Sequence, residues 1–186
     1  MPTKSSTVAT TEQDAFTLLK ADHKAVKALF KDFEGLSDDG PQDEKRNLVQ
    51  QICDELTVHA QVEEEIFYPA VRAAIDDADL LDEAAVEHET AKELIAQLND
   101  MEPDDNLYDA KVTVLSEYIN HHVQEEEGEM FPKAQKSKLD ADSLGREMLA
   151  RKQELKAELG ITDDSLATRT KRSDGSGRSS KASRQG

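Results

Sequence analysis

A chain of 186 residues has the length of one domain with appendages and enough material to bury a core. With no Trp, three Tyr and five Phe among abundant Ala, Leu, Glu, Lys and Asp, the composition argues against a sheet-rich fold and for helices. Net charge is −17, but residues 168–186 carry six basic side chains against Asp174 alone, so the first 167 residues hold −22. A body that acidic repels DNA and anionic lipid, which makes nucleic acid a poor partner; it suits cations and small neutral ligands. The single Cys53 leaves no internal disulfide and fits a reducing compartment. No apolar run approaches the roughly 20 residues that span a bilayer, and the opening MPTKSSTVATTEQD has no signal-peptide core. A cytoplasmic protein without a membrane partner is expected.

Residues 1–11 are polar and read as a flexible N-terminus. From about Glu12 to Gly35 the stripe Phe16, Leu19, His23, Val26, Phe30, Phe33 advances by three and four residues, the pattern of a bundle helix. Gly35 and SDDGPQD at 37–43 stop it. A second helix, about Asp43 to Ile75, shows Val49, Ile52, Leu56, His59, Glu63 and Ile66, with Pro69 expected to kink or tighten its end. The third, about Leu80 to Met101, shows Leu81, Ala84, His88, Ala91, Ile95 and Leu98. The fourth, about Leu107 to Lys136, shows Val112, Leu115, Ile119, His122, Glu126 and Met130. An accessory amphipathic helix within 137–160 could pack Leu144, Met148, Leu155 and Leu159 across the bundle, and 161–186 reads as a disordered basic tail.

The sequence repeats internally. ADHKAVKAL (21–29) aligns with VEHETAKEL (86–94), and HAQVEEEIFYP (59–69) with HVQEEEGEMFP (122–132). Short turns then imply an all-α, up-down-up-down four-helix bundle over 12–136 with a pseudo-twofold axis. One His in a helical stripe is usually a core histidine. Here four imidazoles and two carboxylates take core slots in two matched copies, with no Lys or Arg in the same stripes. Burying two unpaired carboxylates among imidazoles costs about several kcal/mol per ion, and cations remove that cost.

The candidate metal ligands are therefore His23, His59, Glu63, His88, His122 and Glu126. A mixed N/O donor set without thiolate suits two iron ions, with manganese or zinc as lesser options. Two imidazoles can serve each ion, Glu63 and Glu126 can bridge, and a solvent-derived oxo or hydroxo group can complete the bridge. Coordination then stays open for O₂, NO or peroxide. Glu64, Glu65, Glu125 and Glu127 read as a solvated face, with His tautomer partners as the alternative. Phe67, Tyr68 and Phe131 read as packing, as does Tyr118, unless it donates a hydrogen bond near the ions. Cys53 reads as a small apolar filler.

Asp22-His23, HAQVEEEIFYP, Glu87-His88 and HHVQEEEGEMFP together resemble the haemerythrin-like, HHE cation-binding family over roughly residues 14–136. The resemblance implies a four-helix bundle with a non-haem di-iron centre on the same six residues. Oxygen-carrying members place two histidines one turn apart on the third helix, whereas Ala84 and Lys92 flank His88 here. That departure argues against reversible O₂ carriage. His121 is a possible additional ligand, although on an ideal helix it points about 100° from His122. Three functions stay open: a di-iron protein that binds or senses O₂, NO, peroxide or iron, with a link to stress response; a di-iron oxidoreductase of catalase, peroxidase or NO-consuming type; and a helical scaffold without a functional metal centre.

Overall fold

The computed structural model describes residues 13–36 and 40–161; the expectations for 1–11, for the turn at 37–39 and for the tail beyond 161 lie outside the described residues. All described secondary structure is helical. Helix α1 spans Ala15–Glu34. A second rod runs through α2 (Gln42–Val62), a π-helical turn (Glu63–Phe67) and α3 (Tyr68–Ala74). Helix α4 spans Ala78–Asn99. The fourth rod repeats the second, with α5 (Tyr108–Glu125), a π-helical turn (Glu126–Met130) and α6 (Phe131–Gln135). Helix α7 spans Ala141–Glu158. Among the described residues no helix is long and apolar enough to cross a membrane.

Local chemistry sets the ends. Asp14, Asp77 and Asp140 cap α1, α4 and α7 by accepting from the backbone N–H of Thr17, Leu80 and Ser143. Gly160, at φ 68°, closes α7 as the left-handed residue of a Schellman turn. In that turn Ile161 N–H donates to Lys156 and Gly160 N–H to Ala157.

Both π turns sit where an aromatic–Pro pair follows a glutamate. Pro69 and Pro132 lack an N–H and would collide with the preceding turn of an α-helix. The backbone widens instead. Tyr68 N–H reaches Glu63 O and Phe131 N–H reaches Glu126 O, the i to i−5 bond of a π turn. Pro69 thus ends up at the start of α3 rather than at a kink. The extra residue also moves the core stripe, so Phe67 is fully buried while Ile66 is half-buried.

The apolar residues form two clusters. One joins Phe16 and Leu19 of α1 to Val58, Phe67, Val71, Leu81, Met130 and Phe131. The other joins Val26 and Phe30 to Ile52, Leu56, Ile95, Leu98 and Leu115. Each rod runs from one cluster to the other, and successive rods run oppositely, which is the expected up-down-up-down order. Between the clusters lies a layer of buried polar side chains.

Helix α7 packs on α1, α2 and the first π turn. It buries Leu144, Met148 and Leu155 as anticipated, but Leu159 is 52% exposed because the helix ends there. Its start crosses α1 so closely that a Cβ on Gly145 would lie 2.3 Å from Gln13 O and 2.8 Å from Ala15 N. Gly145→Ala is therefore expected to destabilise the fold by about 1–3 kcal/mol, through overpacking against backbone that cannot yield. A Cβ on Gly128 meets nothing within 4 Å, so Gly128→Ala should be neutral or slightly stabilising. Thermal melts of the two variants check the pair.

Candidate metal centre

The polar layer brings together all six residues that the helical stripes point to. His23, His59, Glu63, His88, His122 and Glu126 are each buried, and the two glutamates are almost wholly enclosed. His23 Nε2 lies 3.3 Å from Glu126 Oε2, and His59 Nε2 lies 3.2 Å from Glu63 Oε2. On the other side His88 Nε2 lies 3.4 Å from Glu63 Oε2, and His122 Nε2 lies 3.6 Å from Glu126 Oε2. Donors bound about 2.1 Å from one ion stand about 3–4 Å apart, so these spacings suit shared ions. Two groupings result: His23, His59, Glu63 and Glu126, and Glu63, His88 and His122, each with its donor atoms within 4.8 Å of one another. Glu63 belongs to both.

The chemistry of the layer is unfinished without a cation. His23 Nε2, both ring nitrogens of His59, Glu63 Oε1 and Glu126 Oε2 are buried without a hydrogen-bond partner. Such orphans are rare in folded proteins, and here their lone pairs converge. The residues present therefore fit bound metal.

Carboxylates hold the outer nitrogen of three of the four imidazoles. His23 Nδ1 meets Glu127 Oε1 at 2.8 Å, His88 Nδ1 meets Glu64 Oε1 at 2.9 Å, and His122 Nδ1 meets Glu87 Oε2 at 2.8 Å. Asp22 stands 3.5 Å from His59 Nδ1 and is drawn aside by Lys152 of α7. A carboxylate at Nδ1 keeps the proton there and turns Nε2 inward as a donor to metal. Glu64 and Glu127 are thus not simply a solvated face, while Glu65 does lie on the surface, paired with Arg151. Asp22 and Glu87 were visible only as parts of the resemblance motifs. Their role depends on which neighbouring helix they face, and spacing along one helix does not report that.

Tyr68 is also more than packing. Its hydroxyl donates to Glu126 Oε1 at 3.0 Å and lies 3.1 Å from His88 Nε2 and 3.4 Å from His122 Nε2. The repeat equates Tyr68 with Phe131, whose ring stacks on His23 at 6.0 Å. One half of the layer therefore faces a phenol and the other a phenyl face. Tyr118 neither packs nor reaches the layer; it is 42% exposed. His121 is 62% exposed and stands apart from the six, beside Glu87 and Glu125. Cys53 is an enclosed filler, with burial pushing its thiol up to about 12.

Protons share the charge of the layer unequally. Burial lowers His59 to about 4, leaving its ring neutral. Burial also opposes charge on His23 and His122, but the carboxylate of Glu126 close to His23, the bonds to Glu127 and Glu87 and the negative charge of Glu63 outweigh it, and both pKa values rise. Burial and repulsion from Glu126 push Glu63 far above the carboxylate range. Glu126 is equally buried, yet His23 and His122 overcome that and hold it at about 2. The bond from His88, aided by Lys92, holds Glu64 at about 2.

Beside the imidazoles lies a cavity with about 30 Å³ open to the centres of water-sized molecules, bounded by Val26, Leu56, Ile95 and Ile119. Thr57 and Ala60 of α2 and Lys92 of α4 also line it. A water needs about 10–15 Å³ on this measure, so the space admits two waters or one diatomic molecule and no sizeable organic substrate.

Two outcomes are expected. Glu127→Ala or Glu64→Ala should weaken divalent-metal uptake by about 10–100-fold with helicity unchanged, as read by metal titration and circular dichroism. Uptake should also release protons and weaken as pH falls, because the raised His23 and His122 must be neutral to bind. Titrations at pH 7.5 and 5.5 in buffers of different ionisation heat measure both effects.

Comparison with known proteins agrees with this picture. Residues 14–134 match the profile of the Hemerythrin HHE cation binding domain. The crystal structure of a haemerythrin HHE cation binding domain-containing protein from Mycobacterium kansasii shares the fold. Its TM-score is 0.65 at 24% identity, over 78% of this chain and 89% of that one. A DNA nickase from Nostoc sp. is 31% identical over 114 residues, which is 61% of this chain but only 31% of the nickase. With a family match over most of its length and a buried His/Glu group at the family's motifs, the chain belongs to the haemerythrin HHE cation-binding family.

Proposed function

We propose that His23, His59, Glu63, His88, His122 and Glu126 hold two iron ions, and that the protein binds or senses a small ligand, O₂, NO or peroxide, at the open positions of that pair. The convergence of orphaned buried lone pairs in two groupings that share Glu63 carries this reading. The mixed imidazole and carboxylate set favours iron over softer-ligand metals, with manganese and zinc as the competitors. When bound, such a pair supplies Lewis acidity and one-electron chemistry toward small oxidants.

The chain's own side chains do the remaining work. Glu64, Glu87 and Glu127 fix the imidazole tautomers, with Asp22 near the fourth. The apolar wall of the cavity excludes bulk water and limits the guest to diatomic size. Tyr68 is not among the residues lining the cavity; its hydroxyl, bonded to Glu126, stands beside His88 and His122. That hydroxyl also supports a second reading, peroxide or NO turnover, with Tyr68 as the proton donor.

Anaerobic loading with ferrous iron, followed by air, should give about two irons per chain and near-ultraviolet absorption. His59→Ala combined with His122→Ala should abolish both. A chain that takes up no iron would overturn the proposal, and unchanged melting and metal content in the double variant would leave a plain helical scaffold. Added peroxide or NO should perturb the spectrum stoichiometrically; sustained multiple-turnover consumption, slowed in Tyr68→Phe, would establish the enzymatic reading instead.

A further inference from the structure

The sequence HHVQEE holds two overlapping HxxxE pairs. His122 and Glu126 face the buried layer. His121 and Glu125, one residue earlier, lie on the outside of α5 and meet Glu87 from α4 there. His121 Nε2 stands 3.3 Å from Glu125 Oε1 and 3.6 Å from Glu87 Oε1, and the three donor atoms lie within 4.8 Å of one another. The other oxygen of Glu87 is bonded to His122 Nδ1, so the carboxylate is already oriented. Among the described residues neither Glu87 nor Glu125 is paired with a lysine or arginine.

The opposite half of the repeat shows what that position calls for. Asp22 is the counterpart of Glu87, each standing just before a buried histidine. Asp22 lies beside the outer nitrogen of His59 and receives a cation, the ammonium of Lys152 from α7. Among the described residues no ammonium reaches Glu87; a histidine and a second carboxylate stand there instead. One imidazole and two carboxylates can complete the coordination of a divalent transition metal with water in the remaining positions.

We propose that His121, Glu87 and Glu125 form an outer site for a divalent transition-metal ion, separate from the buried group and linked to it through Glu87. The outer ion takes the place that Lys152 fills on the other side. Because Glu87 serves both His122 and the outer ion, filling either site alters the affinity of the other by the same factor. The outer site does not depend on which metal the buried group holds.

Calorimetric titration of the metal-stripped full chain with Zn²⁺ tests this. An event at least tenfold weaker than buried loading is expected, and it should vanish in both His121→Asn and Glu125→Gln while buried loading is retained. His121 is well exposed, so these changes should leave the fold intact, as circular dichroism would verify. His59→Ala, which removes a buried donor on the far side, should spare the outer event. In the unaltered chain, an event that the two surface variants abolish, found without any buried loading, would count against the di-iron proposal and support this one. Absence of a weaker event in the unaltered chain, or its persistence in both surface variants, would overturn it.

Discussion

The fold depends on one unresolved electrostatic demand. Six polar side chains occupy the slice of the bundle where hydrophobes would otherwise join two apolar clusters. Protonation alone leaves donor atoms buried without partners, and an apolar replacement would fuse the clusters into one ordinary core. The chain retains the polar slice, and its geometry suits cations better than protons. The π turns, the aromatic–Pro pairs and the carboxylates behind the imidazoles all serve that slice. Remove the demand for cations and each becomes an expensive irregularity in a bundle that packs well without it.

Much of this was legible in the sequence because bundle helices report burial through spacing. His23, His59, His88 and His122 interrupt stripes that are otherwise apolar, and the duplicated pattern made coincidence untenable. What spacing missed has two causes. The π turns insert a residue into the phase, so the stripe of the second rod led to Ile66 where the core takes Phe67. Contacts between helices also depend on rotation about each axis. Glu64 and Glu127 therefore read as surface, and Tyr68 as packing, although all three touch the imidazoles.

The repeat is accurate in its ligands and broken around them. Lys152 lies against Asp22 on the side covered by α7, whereas Glu87 faces His121 and Glu125 on the other. Tyr68 and Phe131 occupy equivalent places with different chemistry. A duplicated scaffold keeps paired donors in register, while substitutions in the surrounding shell make its two halves unlike.

The carboxylate links have a directional order. Asp22 of α1 lies beside His59 of α2, Glu64 at the end of that rod holds His88 of α4, Glu87 of α4 holds His122 of α5, and Glu127 beyond α5 returns to His23 of α1. Three of these four links are hydrogen bonds, and the fourth, between Asp22 and His59, is a proximity without a bond. Each carboxylate–imidazole bond joins two different rods, so at the level of the polar layer the rotation of a bonded rod about its own axis is set by its neighbour.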